Sequence, residues 1–265
     1  MENILDKIIR QKRIDLELRK SKVNLKDLIK KAESLSGNST VSFYDSLQSS
    51  SQSAIIAEVK RVSPSKGPLR PELNPIELAL DYQKAGAKAI SVLTEEKFFM
   101  GSDNDLLEIK SKTEIPILRK DFTIDEYQIW EAKLLGASAI LLIAAVLSEE
   151  VLIEFSGLAK TMGLDVLLEV HDRDETIKAL KAKPKILGVN NRNLKTFEVS
   201  LETSKNIIQE FRNSQVALWV SESGIYDATQ IKELKQSGFK AFLIGESLLK
   251  AKEPQSKLQE LINNS

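Results

Sequence analysis

Eight short apolar segments alternate with longer segments of helical period from about residue 54 to the end of the chain. The apolar segments are rich in Ile, Leu and Val, as expected of strands buried on both faces of a parallel sheet. They span 54–59, 89–93, 116–118, 139–143, 165–170, 186–189, 216–220 and 241–244. Eight such units predict an α/β fold of the (β/α)8 barrel class.

A doubly wound sheet is the alternative architecture, but it normally has fewer strands and a glycine-rich phosphate-binding turn after the first. Here the first predicted strand is followed by Lys60-Arg61-Val62-Ser63-Pro64-Ser65-Lys66-Gly67, which is not that turn. Gly86, Gly136, Gly163 and Gly238 each follow a helical segment, where a left-handed C-cap favours glycine. These joints favour the barrel.

Residues 1–50 precede the first strand and differ from the rest of the chain. Apolar residues at Ile4, Leu5, Ile8 and Ile9 predict an amphipathic helix, and a second helix is expected near 25–32. Basic residues predominate in this segment, but the acidic residues between them favour a solvated helix packed on the barrel over a membrane or nucleic-acid surface. We predict one barrel domain over 1–265, with 1–50 as a helical extension and 46–53 as a Ser/Gln linker.

The composition excludes several classes of protein and site. The chain of 265 residues has 38 Lys+Arg, 38 Asp+Glu, one His and no Cys. Disulfides, thiolate metal sites, cysteine nucleophiles and multi-histidine metal sites are therefore excluded, and the balanced charge argues against nucleic acid as a partner. With neither a signal-like N-terminus nor an apolar segment long enough to cross a bilayer, we expect a cytoplasmic protein without membrane association, so the glycosylation sequence at 38–40 is interpreted as a polar loop.

Polar and charged residues follow most of the predicted strands, at the end where active sites of this fold lie. Glu58 and Lys60 share one side of the first strand, because side chains alternate. The later strands lead into Thr94-Glu95, Arg119-Lys120-Asp121, Glu169, Asn190-Asn191-Arg192 and Ser221-Glu222-Ser223. Ammonium and carboxylate groups converging on one mouth would force their pKa values apart, which separates acid from base roles.

The loops after the seventh and eighth predicted strands form the usual phosphate site of such barrels. They contain Ser223-Gly224-Ile225 and Gly245-Glu246-Ser247, so we predict phosphate binding to backbone N–H groups there. The phenylalanines beside the mouth, Phe98, Phe99 and Phe122, fit either core positions or a wall against an aromatic ring. His171 has no partner motif and is interpreted as a loop or cap residue, with Asp172 near the start of the next helix.

These motifs closely resemble those of the indole-3-glycerol phosphate synthase family of tryptophan biosynthesis, which has a TIM-barrel fold. The most specific match is the segment from Ile56 to Gly67, IAEVKRVSPSKG. Other matches follow in the same order, namely Leu93-Thr94-Glu95 with Phe99, Leu118-Arg119-Lys120-Asp121-Phe122, Leu168-Glu169-Val170-His171, Gly188-Val189-Asn190-Asn191-Arg192-Asn193-Leu194, Ser221-Glu222-Ser223-Gly224-Ile225 and Leu243-Ile244-Gly245-Glu246-Ser247. The resemblance spans essentially the whole chain.

The resemblance implies a carboxy-lyase that closes and dehydrates 1-(2-carboxyphenylamino)-1-deoxyribulose 5-phosphate to indole-3-glycerol phosphate, with no metal and no cofactor. It implies that Lys120 is the general acid and that Glu169 takes part in the later proton transfers. Lys60 would meet the substrate carboxylate or act as a second acid. The remaining implied site residues are Glu58 and Asn190 as supports, Ser63, Phe99, Phe122, Arg192, Glu222 and Ser223 around the substrate, and Gly224, Gly245 and Glu246 at the phosphate.

Two alternatives of different classes remain open on the residues themselves. A lysine in a phosphosugar barrel is also the starting point of a Schiff-base lyase. A barrel that serves only as a scaffold for protein contacts would have lost some of the charged mouth residues, whereas none of the matched positions is missing here. We expect a stand-alone monomer whose partner is the small phosphosugar-anthranilate substrate.

Overall fold

The computed structural model describes residues 3–34 and 41–265, so the predicted polar loop at 38–40 lies outside the described residues. Eight parallel strands form a closed ring, in which Ala54 of the first strand pairs with Ala241 of the last. The strands are β1 (Ala54–Val59), β2 (Ala89–Leu93), β3 (Ile117–Lys120), β4 (Ala139–Ile143), β5 (Asp165–Val170), β6 (Ile186–Asn190), β7 (Leu218–Glu222) and β8 (Ala241–Ile244). The predicted (β/α)8 barrel is confirmed.

Strands β3 and β7 differ from the predicted segments at both ends. Each begins later than predicted and extends two residues further, into the polar residues Arg119-Lys120 and Ser221-Glu222. Arg119 and Lys120 still pair with Val92 and Leu93 of β2. The sequence pattern used to predict a strand ends where polar side chains begin. The backbone hydrogen bonds between strands continue past that point because they do not depend on side-chain polarity.

Helices surround the barrel and precede it. They are α1 (Ile4–Lys22), α2 (Leu25–Ser34), α3 (Phe43–Gln48), α4 (Pro75–Lys84), α5 (Asp103–Lys112), α6 (Glu126–Leu134), α7 (Glu149–Thr161), α8 (Arg173–Lys181), α9 (Glu202–Phe211), α10 (Ala228–Ser237), α11 (Glu246–Lys250) and α12 (Pro254–Asn263). A short hairpin, Val62–Ser63 with Gly67–Pro68, follows β1. Among the described helices, none combines the length and apolarity needed to cross a membrane.

The predicted helix boundaries have physical counterparts. The side chains of Asn74, Ser102, Asp125, Ser148, Asp172 and Asp227 each accept a hydrogen bond from a backbone N–H in the first turn of a helix after a barrel strand. Asp172 therefore begins α8, as predicted. Gly238 caps α10 with a φ of 115°, and the other three glycines predicted at helix ends also have positive φ.

Alternation along the strands creates two apolar layers. Ile56, Leu118, Leu141 and Leu167 point into the barrel, whereas their neighbours pack under the outer helices. Phe43 and Leu47 of α3 belong to the inner cluster together with the first residues of several strands, so they close the N-terminal end of the barrel. The opposite mouth is therefore the end of the barrel at which a ligand can enter.

The predicted linker at 46–53 is wrong in its first half, because α3 continues to Gln48. The helix begins at Ser42, whose hydroxyl accepts from the backbone N–H of Asp45 at 3.1 Å. Phe43 and Leu47 are almost completely buried and hold the helix against the barrel. Most of the other residues in this segment are polar, so its composition alone predicted a linker rather than a helix with two buried residues.

The first two helices pack outside the barrel, near the C-terminal end of β3. Leu16 of α1 and Leu28 of α2 form a cluster with Tyr127 of α6, and the Tyr127 hydroxyl donates to the carbonyl of Val23 at 3.0 Å. α1 also sends a buried lysine to the residue that follows β3, since Lys12 Nζ lies 2.7 Å from Asp121 Oδ1. The extension is therefore attached beside the barrel mouth.

Candidate active site

The mouth of the barrel is a cavity lined by residues from most of the strands. The cavity is lined by every site residue that the family resemblance implies, namely Glu58, Lys60, Ser63, Phe99, Lys120, Phe122, Glu169, Asn190, Arg192, Glu222, Ser223, Gly224, Gly245 and Glu246. Parallel strands place their C-terminal residues at the same end, which is why segments far apart in sequence meet here.

Lys120 is at the centre of the charged part of the cavity. Its Nζ donates to Glu169 Oε2 and to Glu222 Oε2, each at 2.8 Å. The two carboxylates come from β5 and β7, and their side chains are 3% and 1% exposed. A single ammonium therefore links two buried carboxylates across the interior of the barrel.

The pKa values of this trio are pushed apart. Burial lowers the pKa of Lys120, but the charges of Glu169, Glu222 and Glu58 outweigh burial and raise it above its ordinary value. Burial raises the pKa of Glu169, yet Lys120 and then His171 bring it well below the ordinary range. Burial raises the pKa of Glu222 to about 7, with Lys120 opposing and Glu169 reinforcing the shift. Such separation is typical of sites where acid and base roles are divided.

A second lysine stands at the end of β1. Lys60 Nζ donates to Glu58 Oε2, and both side chains belong to the cavity lining, on the same side of the chain as alternation predicted. Gly245 after β8 is packed against this pair, because a Cβ there would lie 2.4 Å from Glu58 Oε2. A side chain at position 245 would displace the Glu58 carboxylate.

An aromatic pair forms one wall of the cavity. The ring centroids of Phe99 and Phe122 are 6.0 Å apart, with a 40° angle between the planes. Glu95 fixes the loop of Phe99, since its Oε2 accepts the backbone N–H of Phe98 at 2.7 Å and of Phe99 at 3.0 Å. Phe99 and Phe122 thus line the mouth, whereas Phe98 is not among the lining residues.

The opposite side of the cavity is formed by the loops after β6, β7 and β8. Ser223 and Gly224 have φ values of 66° and 78°, which turn the chain sharply as it leaves β7. Arg192 Nη2 donates to Glu246 Oε2 at 3.1 Å, and Lys250 Nζ donates to Glu246 Oε1 at 2.6 Å. Glu246 is therefore paired with two cations at the loop after β8.

Some mouth residues named from the sequence have other roles. Arg119 lies on the outer face of the barrel, where it donates to Asp103 Oδ1 at 2.9 Å and to the carbonyl of Gln128 at 2.8 Å. Thr94 donates its hydroxyl to Asp121 Oδ2 at 2.8 Å, in the same buried network. Within residues 3–34 and 41–265, no three His, Cys, Asp or Glu side chains are arranged to hold a metal ion.

Sequence reasoning missed two contributions to the site. Ile4, Leu5 and Ile8 of α1 line the cavity, which places the N-terminal helix over the mouth. The apolar period of that helix was visible in the sequence, but nothing in it identified the surface it covers. His171 is a loop residue between β5 and α8, as predicted, but its ring Nε2 also lies 3.2 Å from Glu169 Oε1, which the sequence did not indicate.

Comparison with solved structures gives independent support for the fold. A thiamine phosphate pyrophosphorylase from Pyrococcus furiosus superposes with a TM-score of 0.59 at 15% identity, covering 83% of this chain and 96% of that one. At this level of identity the likeness concerns the fold alone.

Comparison of sequences is more specific. The family model described as indole-3-glycerol phosphate synthase matches residues 5–261. The indole-3-glycerol phosphate synthase of Acetivibrio thermocellus is 41% identical over 97% of this chain and 98% of that protein. The enzyme of the same name from Polynucleobacter asymbioticus is 40% identical over 98% of this chain and 99% of its own length. The chain therefore belongs to the indole-3-glycerol phosphate synthase family.

Proposed function

We propose that Lys120 is the general acid with which this chain carries out the reaction of its family. That reaction is the decarboxylating ring closure and dehydration of 1-(2-carboxyphenylamino)-1-deoxyribulose 5-phosphate to indole-3-glycerol phosphate. One observation carries the assignment, namely the position of Lys120 Nζ between two buried carboxylates in the barrel mouth, 2.8 Å from each. The carboxylates keep the lysine protonated, so it enters the reaction as an ammonium ion.

Ring closure forms a bond between the aromatic carbon that bears the carboxylate and the ketone carbon of the sugar. The ketone oxygen gains negative charge as this bond forms, and an adjacent ammonium supplies both a positive charge and a proton. Carbon dioxide then leaves, and the electrons of its bond restore the aromatic ring. Loss of the new hydroxyl as water, together with a proton from the neighbouring carbon, completes the indole.

Glu169 is suited to the proton transfers of dehydration. Its pKa is held well below the ordinary range, chiefly by Lys120 against the effect of burial, so it is present as a base at neutral pH. Its Oε2 accepts a hydrogen bond from Lys120 Nζ at 2.8 Å. An acid and a base in such contact can exchange a proton between steps of the reaction. We assign to Glu169 the removal of the proton that accompanies loss of water.

The remaining residues of the cavity bind and orient the substrate in this proposal. Lys60 meets the substrate carboxylate, and Phe99 with Phe122 walls the anthranilate ring. The supporting and lining residues are Glu58, Asn190, Ser63, Arg192, Glu222 and Ser223, and the phosphate lies at Gly224, Gly245 and Glu246. Lys60→Met is expected to raise KM more than it lowers kcat, whereas Lys120→Met is expected to lower kcat.

The Schiff-base alternative is disfavoured by the same geometry. Attack on a carbonyl requires a neutral amine, and enzymes prepare such a lysine by lowering its pKa. Here the carboxylates around Lys120 raise its pKa instead, against the effect of burial. Borohydride added during turnover should therefore leave no substrate covalently attached to Lys120.

We also propose that the chain acts as a cytoplasmic monomer, as one domain, on this small molecule rather than on nucleic acid. The equal numbers of basic and acidic residues support the last point, because nucleic-acid binders carry a basic excess. Light scattering during gel filtration should give the mass of a single chain. A dimer mass would contradict the monomer.

The test of the proposed function is a continuous fluorescence assay of the purified wild-type protein with the carboxyphenylamino deoxyribulose phosphate. Indole fluorescence should rise with turnover, and a chelator in the assay should leave the rate unchanged. A folded protein that binds the substrate without forming an indole would overturn the assignment.

A further inference from the structure

The ring of His171 lies between two carboxylates, one of which belongs to the site described above. His171 follows β5 directly, and its side chain is 9% exposed. Its Nδ1 lies 3.0 Å from Glu175 Oε2 of α8, and its Nε2 lies 3.2 Å from Glu169 Oε1. The Nε2 contact lacks hydrogen-bond alignment, so it is ionic in character. The imidazole and Lys120 therefore contact different oxygens of the Glu169 carboxylate.

This arrangement gives each oxygen of Glu169 its own nitrogen partner. Oε2 accepts from Lys120 at 2.8 Å, and Oε1 faces the His171 ring. A carboxylate held at both oxygens has little freedom to rotate, and a second positive charge beside it favours its ionised form. Burial lowers the pKa of His171, but Glu169 and Glu175 outweigh burial and raise it to about 10.

The start of α8 is folded around the ring. Glu175 Oε2 accepts the backbone N–H of His171 at 2.9 Å, in addition to its contact with the ring. The backbone N–H of Glu175 in turn donates to the capping Asp172 Oδ1 at 2.9 Å. These bonds fix Glu175, and Glu175 fixes the imidazole.

Other charged groups face the same region from the neighbouring elements. A cavity behind the ring is lined by His171 and Glu175 together with Asp6 of α1, Asp172, and Lys195 and Glu198 of the loop after β6. The acidic groups outnumber the single lysine, so this environment also favours a protonated imidazole.

We propose that His171 is a positioning residue for the reaction: as an imidazolium held by Glu175, it keeps Glu169 ionised and turned toward Lys120. The inference rests on the proposed role of Glu169 as the base in dehydration. His171 itself touches no reacting atom. Its effect on the rate passes through the orientation and the protonation of Glu169.

The charge of the ring can be measured in the free wild-type protein, because His171 is the only histidine of the chain. A long-range ¹H–¹⁵N NMR spectrum should show one imidazole with both nitrogens protonated at pH 7.5, although an unperturbed histidine has a pKa of about 6.5. A neutral ring at pH 7.5 would overturn the proposal. This measurement uses no substrate, so it separates the inference from the proposed function, which the wild-type assay tests.

The kinetic test is the variant His171→Gln, whose neutral amide keeps a donor near Glu169 without the charge. We expect kcat to fall about 10-fold with little change in KM, and the acid limb of the kcat–pH profile to move up by about one pH unit. The limb moves up because Glu169 without its second cation takes a proton at higher pH. An unchanged acid limb with full kcat would contradict the proposal.

Arg173→Gln is the matched control. It removes one positive charge two residues away, from a side chain that is 62% exposed and pairs with Glu210 on the surface. Its acid limb and kcat should equal those of the wild type. An acid limb that moves as far in Arg173→Gln as in His171→Gln would show a general effect of charge and overturn the specific role of the imidazole.

Discussion

Arg119 and Lys120 are consecutive residues of β3, and both are buried cations with carboxylate partners, yet they belong to different parts of the molecule. Arg119 faces outward into a cluster with Asp103 of α5 and Glu131 of α6, while Lys120 faces the barrel interior. Alternation along the strand separates the two side chains. The same type of charge therefore occurs in two environments only one residue apart.

The outer cluster is fully bonded. The Arg119 guanidinium donates to Thr94 Oγ1 at 3.3 Å, to the Gln128 carbonyl at 2.8 Å, and to the carboxylates of Asp103 and Glu131 at 2.9 and 3.2 Å. Each type of guanidinium nitrogen has a partner in a fixed direction, which suits the planar fork of arginine. This cluster attaches helices α5 and α6 to the strand.

The inner ion cluster, formed by Lys120, Glu169 and Glu222, is not fully hydrogen-bonded. Glu222 Oε1 is buried without a hydrogen-bond partner, although Oε2 of the same carboxylate accepts from Lys120. Buried polar atoms are normally satisfied, so an exception in a cavity marks a place where a ligand or a proton can bind. Incomplete hydrogen bonding and separated pKa values, rather than buried charge as such, therefore distinguish a reaction site from a structural ion cluster.

The largest difference between the two cations should appear on replacement of Lys120. Lys120→Met removes the proposed acid, so kcat should fall by about 10²–10⁴-fold, within the range of general acid catalysis. The protein should remain folded, because a methionine fits the length of the lysine stem and the two carboxylates left without the ammonium can hold a proton between them. Steady-state fluorescence kinetics and circular dichroism check the two points, and a folded variant with near-normal kcat would remove Lys120 from its role.

Replacement of Arg119 should affect stability instead. Arg119→Met removes the bonds to Asp103, Glu131 and the Gln128 carbonyl, but Asp103 and Glu131 are only partly buried and keep Arg19 as a cationic partner, so the free energy of unfolding should fall by about 1–3 kcal/mol. Urea unfolding followed by fluorescence measures this loss. The kcat of the protein that remains folded should stay within a few-fold of the wild type; loss of turnover without loss of stability would reverse the assignment of the two clusters.

Substitution of Gly188, which packs against the Glu222 carboxylate, should perturb the inner ion cluster less than the loss of Lys120. A Cβ at Gly188 would lie 2.1 Å from Glu222 Oε1 and 3.1 Å from Leu167 Cδ1, so Gly188→Ala must displace the carboxylate. We expect kcat to fall about 10- to 100-fold, as small misplacements in active sites do.

Gly157→Ala in α7 is the matched control for that change. An added Cβ there meets no atom within 4 Å, so kcat should be unchanged and the free energy of unfolding should rise by about 0.5–1 kcal/mol. Equal kcat for the two alanine variants would show that the position of Glu222 has no influence on turnover.

The smallest expected effect is a pH dependence of stability that originates at Glu222. Burial raises the pKa of Glu222 to about 7, whereas an unfolded glutamate has a pKa of about 4.3. Between these values the folded protein holds a proton that the unfolded chain has lost, so this group makes the free energy of unfolding fall as the pH rises. Glu222→Gln should therefore gain stability relative to the wild type between pH 5 and pH 8, as measured by urea unfolding at both pH values; a constant difference would contradict the raised pKa.

The sequence predicted the features that depend on order along the chain. Strand-length apolar runs predicted the barrel, and the fold then placed Glu58, Lys120, Glu169 and Glu222 at one mouth because each lies at the C-terminal end of a parallel strand. Alternation also predicts that Arg119 and Lys120 face opposite sides. It does not say which of them faces inward, since both are cations and the sheet has two buried faces.

Other features depend on packing between distant segments and left little trace in the sequence. α3 is anchored by only Phe43 and Leu47 among polar residues, so its composition resembled a linker. The partner of His171 on α8 is Glu175, which becomes its neighbour only because a capped helix begins between them. Such contacts have no period or motif of their own, so they require the folded structure.

Whether Lys120 donates the proton or holds the substrate is decided by the affinity of Lys120→Met for the carboxyphenylamino deoxyribulose phosphate, measured by titration calorimetry beside its turnover. If Lys120 acts as the proton donor in the reaction, the variant should bind the substrate with a Kd within about 10-fold of the wild type and form almost no indole. If the variant instead loses affinity in proportion to its loss of turnover, Lys120 serves to hold the substrate, and the acid must be a different group.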